Sequence, residues 1–157
     1  MLARIRQMFS KPKANLSEES REFIEKLAPS FIWVLAIGIR GTPAMPPIHD
    51  SSAWDVIAAH RIELAELGDD DSVFPFNYQQ DGRQILPFFS SEERARQFLA
   101  GKSWGHISFF QPYRLLAGFV ATPENGTFEL LLDPGTSTER RLGEDERLLL
   151  RSLSTAG

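Results

Sequence analysis

A strand that runs directly into a capped helix constrains this fold more than any other feature. Residues 85–99 read ILPFFSSEERARQFL, in which an apolar run typical of a buried strand is followed at once by serines and glutamates. Ser90 is predicted to cap the helix, and Glu93 to complete a capping box by reaching back to the cap amide. Ala95 and Phe98 then face inward. Such a unit is typical of a domain that mixes helices and strands.

The rest of the chain continues the mixture. A helix is predicted from Ser17, and a buried strand over Phe31–Ile39 because that segment is apolar on both faces. Asp81-Gly82 predicts the turn of a hairpin. Further strands are expected over residues 61–67, 73–89, 106–110 and 128–132, and further helices over 53–60, 112–121 and 143–153. The pattern predicts an α+β fold, with helices mainly on one face of a mixed sheet, in which residues 1–14 form a basic tail or short helix and residues 15–157 a single domain.

Composition and charge exclude several classes of function. The 157 residues include no cysteine, which rules out disulfides and thiolate chemistry. The net charge is −4, although residues 1–14 hold only basic charges, and an acidic body disfavours nucleic acid because phosphate binding needs a basic stripe. The longest strongly apolar run, Phe31–Ile39, is shorter than the roughly 20 residues that cross a bilayer as a helix. Without a secretory cleavage pattern, the sequence predicts a cytoplasmic protein with no membrane span.

No catalytic template is complete. Gly101-Lys102-Ser103 ends like a phosphate-binding loop, but Arg96 stands where that loop requires its first glycine. There is no nucleophile elbow, and Asp69-Asp70-Asp71 lacks the alternating spacing of a calcium loop. No histidine lies close enough to another for a helical metal pair, the three being His49, His60 and His106. We therefore expect no enzyme, no cofactor and no metal site.

Phenylalanine is the most frequent aromatic residue, with 12 copies. Two adjacent pairs, at 88–89 and 109–110, fall on predicted strands, where neighbouring side chains point to opposite faces. One ring of each pair is therefore predicted to be exposed. The candidate interaction residues are Phe89, Phe110, Tyr113 and, in the N-terminal segment, Phe9.

Two short motifs resemble the N-terminal domain of the SseB family. The first consists of Leu86-Pro87-Phe88, then Ser90, then Glu92-Glu93-Arg94; the second is Asp133-Pro134-Gly135, in which aspartate replaces the usual asparagine of the family. Aspartate can cap such a turn as asparagine does. The resemblance covers about residues 74–153, whereas residues 1–73 depart from the expected pattern. It implies a bacterial α+β domain without an established enzymatic activity.

Two hypotheses about function follow. The first is a non-enzymatic protein-interaction module, one version being an accessory or immunity protein for a secreted toxin, since an acidic surface suits a basic partner. The second is a small-molecule sensor or an enzyme of serine or amino-acid metabolism, with a pocket under the proline-rich loop at residues 43–47. Serine enters only through the family name, which refers to enhanced serine sensitivity. The type III secretion label of the family rests partly on a shared name and is not carried over as function.

Overall fold

The computed structural model describes residues 16–46, 50–122 and 128–155. The α-helices in this part of the chain are α1 (Glu18–Leu27), α2 (Ser51–His60), α3 (Glu92–Ala100) and α4 (Glu144–Thr155). The strands are β1 (Phe31–Ile39), β2 (Arg61–Ile62), β3 (Ser72–Pro75), β4 (Tyr78–Gln80), β5 (Arg83–Phe88), β6 (Gln111–Leu116), β7 (Glu129–Leu132) and β8 (Arg140–Leu142). Short 3-10 helices span Leu64–Glu66, Ile107–Phe109 and Ala117–Ala121.

Strand β1 is the centre of the first of two four-stranded sheets. It pairs antiparallel with β6 along its first half and with β2 and β3 along its second half. The second sheet has the order β4-β5-β7-β8, and its β5–β7 pair is parallel. The two sheets are joined where Trp33 and Phe89 exchange backbone hydrogen bonds of 2.8 and 2.7 Å. The strands thus form two linked sheets rather than one.

Both faces of β1 are buried. Ile32 and Val34 point into a core that α1, α4 and one face of the second sheet complete. Leu35 and Ile37 point into a second core that contains residues of α2 and α3. The α+β fold in a single domain is therefore confirmed, but the helices pack on both faces of β1 instead of mainly on one.

Helix α1 begins as predicted, whereas α3 does not. The Ser17 hydroxyl accepts a hydrogen bond from the Ser20 amide at 3.0 Å. In α3 the capping residue is Ser91, whose hydroxyl accepts from the Arg94 amide at 3.2 Å. The prediction of a capping box formed by Ser90 and Glu93 is therefore wrong, because Ser90 lies one residue before the N-cap.

The region between residues 106 and 121 differs most from the prediction. The strand expected over 106–110 is the 3-10 helix Ile107–Phe109, and the helix expected over 112–121 is β6 followed by another 3-10 helix. β6 pairs with β1 from Phe31↔Leu116 to Ala36↔Gln111, and this tertiary pairing overrides the local pattern. The strand expected over 61–67 is likewise limited to β2 before a 3-10 turn.

The turn of the predicted hairpin is confirmed, between β4 and β5. Asp81 and Gly82 have φ of 53° and 76°, and a type I′ turn requires positive φ at both of its central residues. Strand β3 instead belongs to the first sheet, so residues 73–89 supply strands to both sheets.

Asp71 connects two loops on the surface. Its carboxylate accepts hydrogen bonds from the Gly41 amide at 2.9 Å and the Gly68 amide at 2.8 Å. These two hydrogen bonds, of which the one from Gly41 has the larger effect, favour the charged form and lower the pKa of the Asp71 carboxyl below its usual 3.8. Desolvation raises this pKa in opposition, and the charge of the nearby Arg40 has a further, smaller lowering effect. Asp71 therefore links the turn at residues 68–71 to the start of the loop that follows β1.

Acid is expected to remove the contribution of Asp71 to stability. Because the folded-state pKa is lowered, that contribution is present above about 3.8 and is lost as the pH falls through the folded-state pKa. Asp71→Asn does not titrate and offers a single acceptor oxygen, so we expect it to lose less stability than the wild type on going from about pH 6 to about pH 3. Urea unfolding of both proteins at the two pH values measures this difference, and an equal loss in both would contradict the role of Asp71.

Candidate functional site

The two sequence motifs meet around Asp133, which is buried. Ser90 follows β5 and Asp133 follows β7, and because these strands are parallel their carboxyl ends lie side by side. The Ser90 amide donates to Asp133 Oδ1 at 2.9 Å, and the Ser90 hydroxyl donates to Oδ2 at 2.7 Å. The Asp133 amide in turn donates to the Phe88 carbonyl at 2.8 Å. Ser90 and Asp133, which are 43 residues apart in sequence, thus belong to one spatial unit.

Arg94 and two threonines complete this unit, which we call the Asp133 clasp: Ser90, Arg94, Asp133, Thr136 and Thr138. The Thr138 hydroxyl donates to Asp133 Oδ2 at 3.0 Å, and Arg94 Nη1 lies 3.5 Å from the same oxygen. Arg94 Nη1 also donates to the Thr136 and Thr138 hydroxyls, at 2.8 and 2.6 Å. Asp133 has a φ of 48°, a conformation that aspartate and asparagine adopt more readily than most residues. The polar groups of the clasp bind one another, which indicates a structural role.

A cleft of about 420 Å³ lies beside the clasp and is lined by the turn residues Pro134 and Gly135. Tyr78 and Gln80 of β4 also line it, as do residues from the end of α3 and the segment that follows. We call this the aromatic cleft and define it by Tyr78, Phe98, Lys102, Trp104, Pro134 and Arg141. The hydrogen-bonded geometry of the clasp positions one side of the cleft, because Pro134 follows Asp133 directly.

Three rings and a lysine dominate the aromatic cleft. The ring centroids of Tyr78 and Trp104 lie 5.4 Å apart, and those of Phe98 and Trp104 lie 6.2 Å apart with nearly perpendicular planes. Lys102 Nζ lies 5.0 Å from the centroid of Trp104, which is 44% exposed. Burial, with a smaller effect of Glu139, raises the pKa of the Tyr78 hydroxyl above its usual 10.0, and Arg141 opposes this shift.

A second surface, the apolar patch, consists of Pro29, Phe31, Leu116 and Phe119. Phe119, Phe31 and Leu116 are 57, 51 and 40% exposed. Phe31 and Leu116 are paired across β1 and β6, and the Arg114 guanidinium lies 4.2 Å from the centre of the Phe31 ring. Pro29, Leu116 and Phe119 line a groove of about 730 Å³ that reaches the end of α4. The patch is therefore a continuous feature at one end of the β1–β6 pair.

The predicted interaction residues lie elsewhere. Phe89 and Phe110 are 1 and 3% exposed, so the exposure predicted for both is wrong. Tyr113 is half-buried and packs against the core, and Phe9 lies outside the described residues. In the 109–110 pair the exposed ring is Phe109, because the segment is a 3-10 helix and not a strand.

Sequence reasoning missed the residues of the apolar patch. The sequence predicts Phe31 in a buried strand and Leu116 in a helix. Had residues 111–116 been assigned to a strand, their period of two would have separated Leu116 and Arg114 from Leu115 and Tyr113, which pack against the core.

The two described histidines, His60 and His106, contact neighbouring residues of the fold. The rings of His106 and Trp54 lie with their centroids 4.2 Å apart, and His60 Nδ1 lies 2.9 Å from the Val56 carbonyl oxygen. His49 is outside the described residues.

Within residues 16–46, 50–122 and 128–155 there is no cluster of three or more metal-binding side chains. In the same residues, no helix has the length and apolar content needed to cross a membrane.

Comparison with known proteins identifies the family. The family model described as SseB protein N-terminal domain matches residues 14–146. The match contains the Asp133 clasp and the aromatic cleft, and it begins much nearer the N-terminus than residue 74, where the motif resemblance began. No curated protein and no solved structure matches the chain. The chain belongs to the family of SseB N-terminal domains.

Proposed function

We propose that this protein is a non-enzymatic protein-interaction module that binds its partner through the apolar patch. The observation that carries the proposal is the grouping of Phe31, Leu116 and Phe119, each at least 40% exposed, at one end of the β1–β6 pair. Single exposed apolar residues are ordinary on soluble proteins, whereas a contiguous group beside a groove is typical of a protein-contact surface.

The residue types in and around the patch support this proposal. Aromatic and arginine side chains are enriched in the energetically dominant parts of protein interfaces. Here Arg114 lies over the ring of Phe31, and the groove next to Phe119 is lined by Glu25 and Arg151, which place both charge signs at its border. An apolar centre with a charged border is the usual anatomy of such a contact.

The polar clusters support a non-enzymatic role. Ser90, Arg94 and Asp133, three polar residues of the family motifs, have one another as partners in the Asp133 clasp. A cytoplasmic location is part of the proposal, since a chain without cysteine is compatible with a reducing compartment. In its described residues, 40–46, the loop after β1 gives the small-molecule alternative no support, because Met45 packs against the core and the two cavities described above are lined by other segments.

Site-specific photo-crosslinking in bacterial cells tests the proposed surface. With a benzophenone amino acid at position 119, we expect a discrete adduct with one protein, and Leu116→Ser should weaken its formation by about tenfold, as expected for a contact near the centre of an interface. The same amino acid at position 109, which is exposed outside the patch, serves as the matched control. Equal adducts at both positions, or an adduct that Leu116→Ser leaves unchanged, would contradict the proposal.

A further inference from the structure

We infer that the aromatic cleft binds a proline-containing, acidic segment of another protein. This cleft is a different surface from the apolar patch, and the inference rests on the proposed function only in taking the ligand to be part of a protein. Three properties of the cleft carry it: the arrangement of its rings, its unused hydrogen-bond donors and its charge.

The rings form a groove of the kind that polyproline segments occupy. Tyr78 and Trp104 are inclined at 54° with centroids 5.4 Å apart, and Phe98 lies 6.5 Å from Tyr78. Aromatic-lined grooves bind polyproline II segments because prolyl rings pack on aromatic faces and the extended ligand is already ordered before it binds. The turn residues Pro134 and Gly135, which follow Asp133 of the clasp, line the same cleft.

The donors of the cleft suit the same ligand. A polyproline II segment forms no internal hydrogen bonds, so its carbonyl oxygens need donors from the protein that binds it. Within the described residues, neither the Tyr78 hydroxyl nor the Trp104 indole N–H takes part in a hydrogen bond, and both side chains line the cleft. The amide of Gln80 lines it as well. These groups can donate to the carbonyls of a bound segment without breaking any contact described here.

Charge selects an acidic ligand from outside this chain. Lys102 and Arg141 line the cleft together with one acid, Glu139, whose carboxylate already accepts from the Gly135 amide at 2.8 Å. Arg141 Nη1 is paired with Glu129 Oε1 at 3.2 Å, so Lys102 is the lining cation without a carboxylate partner among the described residues. Lys102 lies over the Trp104 ring, directly beside the place where a prolyl ring would pack. The N-terminal segment of this protein contains Pro12, but residues 1–14 carry only basic charges, which the cations of the cleft disfavour.

Selection from a random library tests this inference without assuming a sequence. Phage that display random twelve-residue peptides are selected on the full-length protein, after subtraction on the Trp104→Ala variant. We expect the enriched peptides to contain proline together with aspartate or glutamate. Absence of enrichment, enrichment of peptides without proline, or enrichment of basic peptides would overturn the inference.

Binding of the most enriched peptide, measured by fluorescence anisotropy, then locates the site. Trp104→Ala should raise the Kd by at least about tenfold, as an aromatic contact near the centre of a site does. Lys102→Glu, at an exposed position, should raise the Kd and abolish the preference for the acidic peptide over a version with asparagine and glutamine. Phe119→Ala is the matched control in the apolar patch and should leave the Kd unchanged; a loss there equal to that of Trp104→Ala would assign the peptide to the patch. Photo-crosslinking at position 119 and peptide binding in the cleft can therefore succeed or fail separately.

Discussion

Asp133→Ala is expected to lower the free energy of unfolding by about 3–5 kcal/mol, because it removes a buried carboxylate from three hydrogen bonds and from a half-buried ion pair. The change leaves the Ser90 amide, the Ser90 hydroxyl and the Thr138 hydroxyl without their acceptor, and it leaves Arg94 without its counter-ion. It also places alanine at a φ of 48°, which most side chains avoid. Urea unfolding followed by tryptophan fluorescence measures the loss.

Asp133→Asn is the matched control for this prediction. Asparagine has nearly the same shape, tolerates the same backbone conformation and keeps one oxygen that can accept from the Ser90 amide. Only the charge opposite Arg94 and part of the acceptor capacity are lost, so we expect a cost of about 1–2 kcal/mol. If asparagine proved as destabilising as alanine, the role assigned to the geometry of the clasp would be wrong.

Phe89→Ala is expected to cost about 3–5 kcal/mol, which is typical of removing a fully buried phenyl ring. Phe89 is 1% exposed, and its ring packs 5.4 Å from that of Phe98 in the second core. The backbone of Phe89 joins the two sheets through its hydrogen bonds with Trp33, so residues that move into the space left by the ring would also disturb that junction. Thermal or urea unfolding checks the prediction.

Phe119→Ala provides the comparison for Phe89→Ala. The Phe119 ring is 57% exposed, so its loss should change stability by no more than about 0.5–1 kcal/mol. The two phenylalanines would then separate stability from binding: Phe89 matters for folding, and Phe119 for the contact proposed at the apolar patch. The reverse order of stabilities would show that the burial described here is wrong.

The elements that could be predicted from sequence depend on neighbouring residues. The Ser17 cap needs only the amide of Ser20, and the Asp81-Gly82 turn needs only its own backbone. The strand Phe31–Ile39 is recognisable because a strand covered on both faces has a continuous apolar sequence and does not alternate between apolar and polar residues. Each of these signals lies within about ten residues of chain, which is the range over which sequence patterns report structure.

The elements that could not be predicted depend on distant partners. Ser90 was a reasonable cap by its spacing to Glu93, but its hydrogen bonds go to Asp133, 43 residues away. Residues 111–116 alternate weakly and contain helix-compatible leucines; they are a strand because β1 is available to pair with them. The exposure of Phe31 and Leu116 follows from that pairing, so the apolar patch could not be identified without it.

The same pairing has a consequence for synthesis on the ribosome. Strand β1 is made about 80 residues before β6, and at roughly 5–20 residues per second that interval lasts several seconds. During this time the first half of β1 has no strand paired along it, and α4, which covers one of its faces, is made later still. An apolar half-strand is therefore left unpaired while the intervening chain is made, and we expect slower translation before β6 to lower the yield of folded protein.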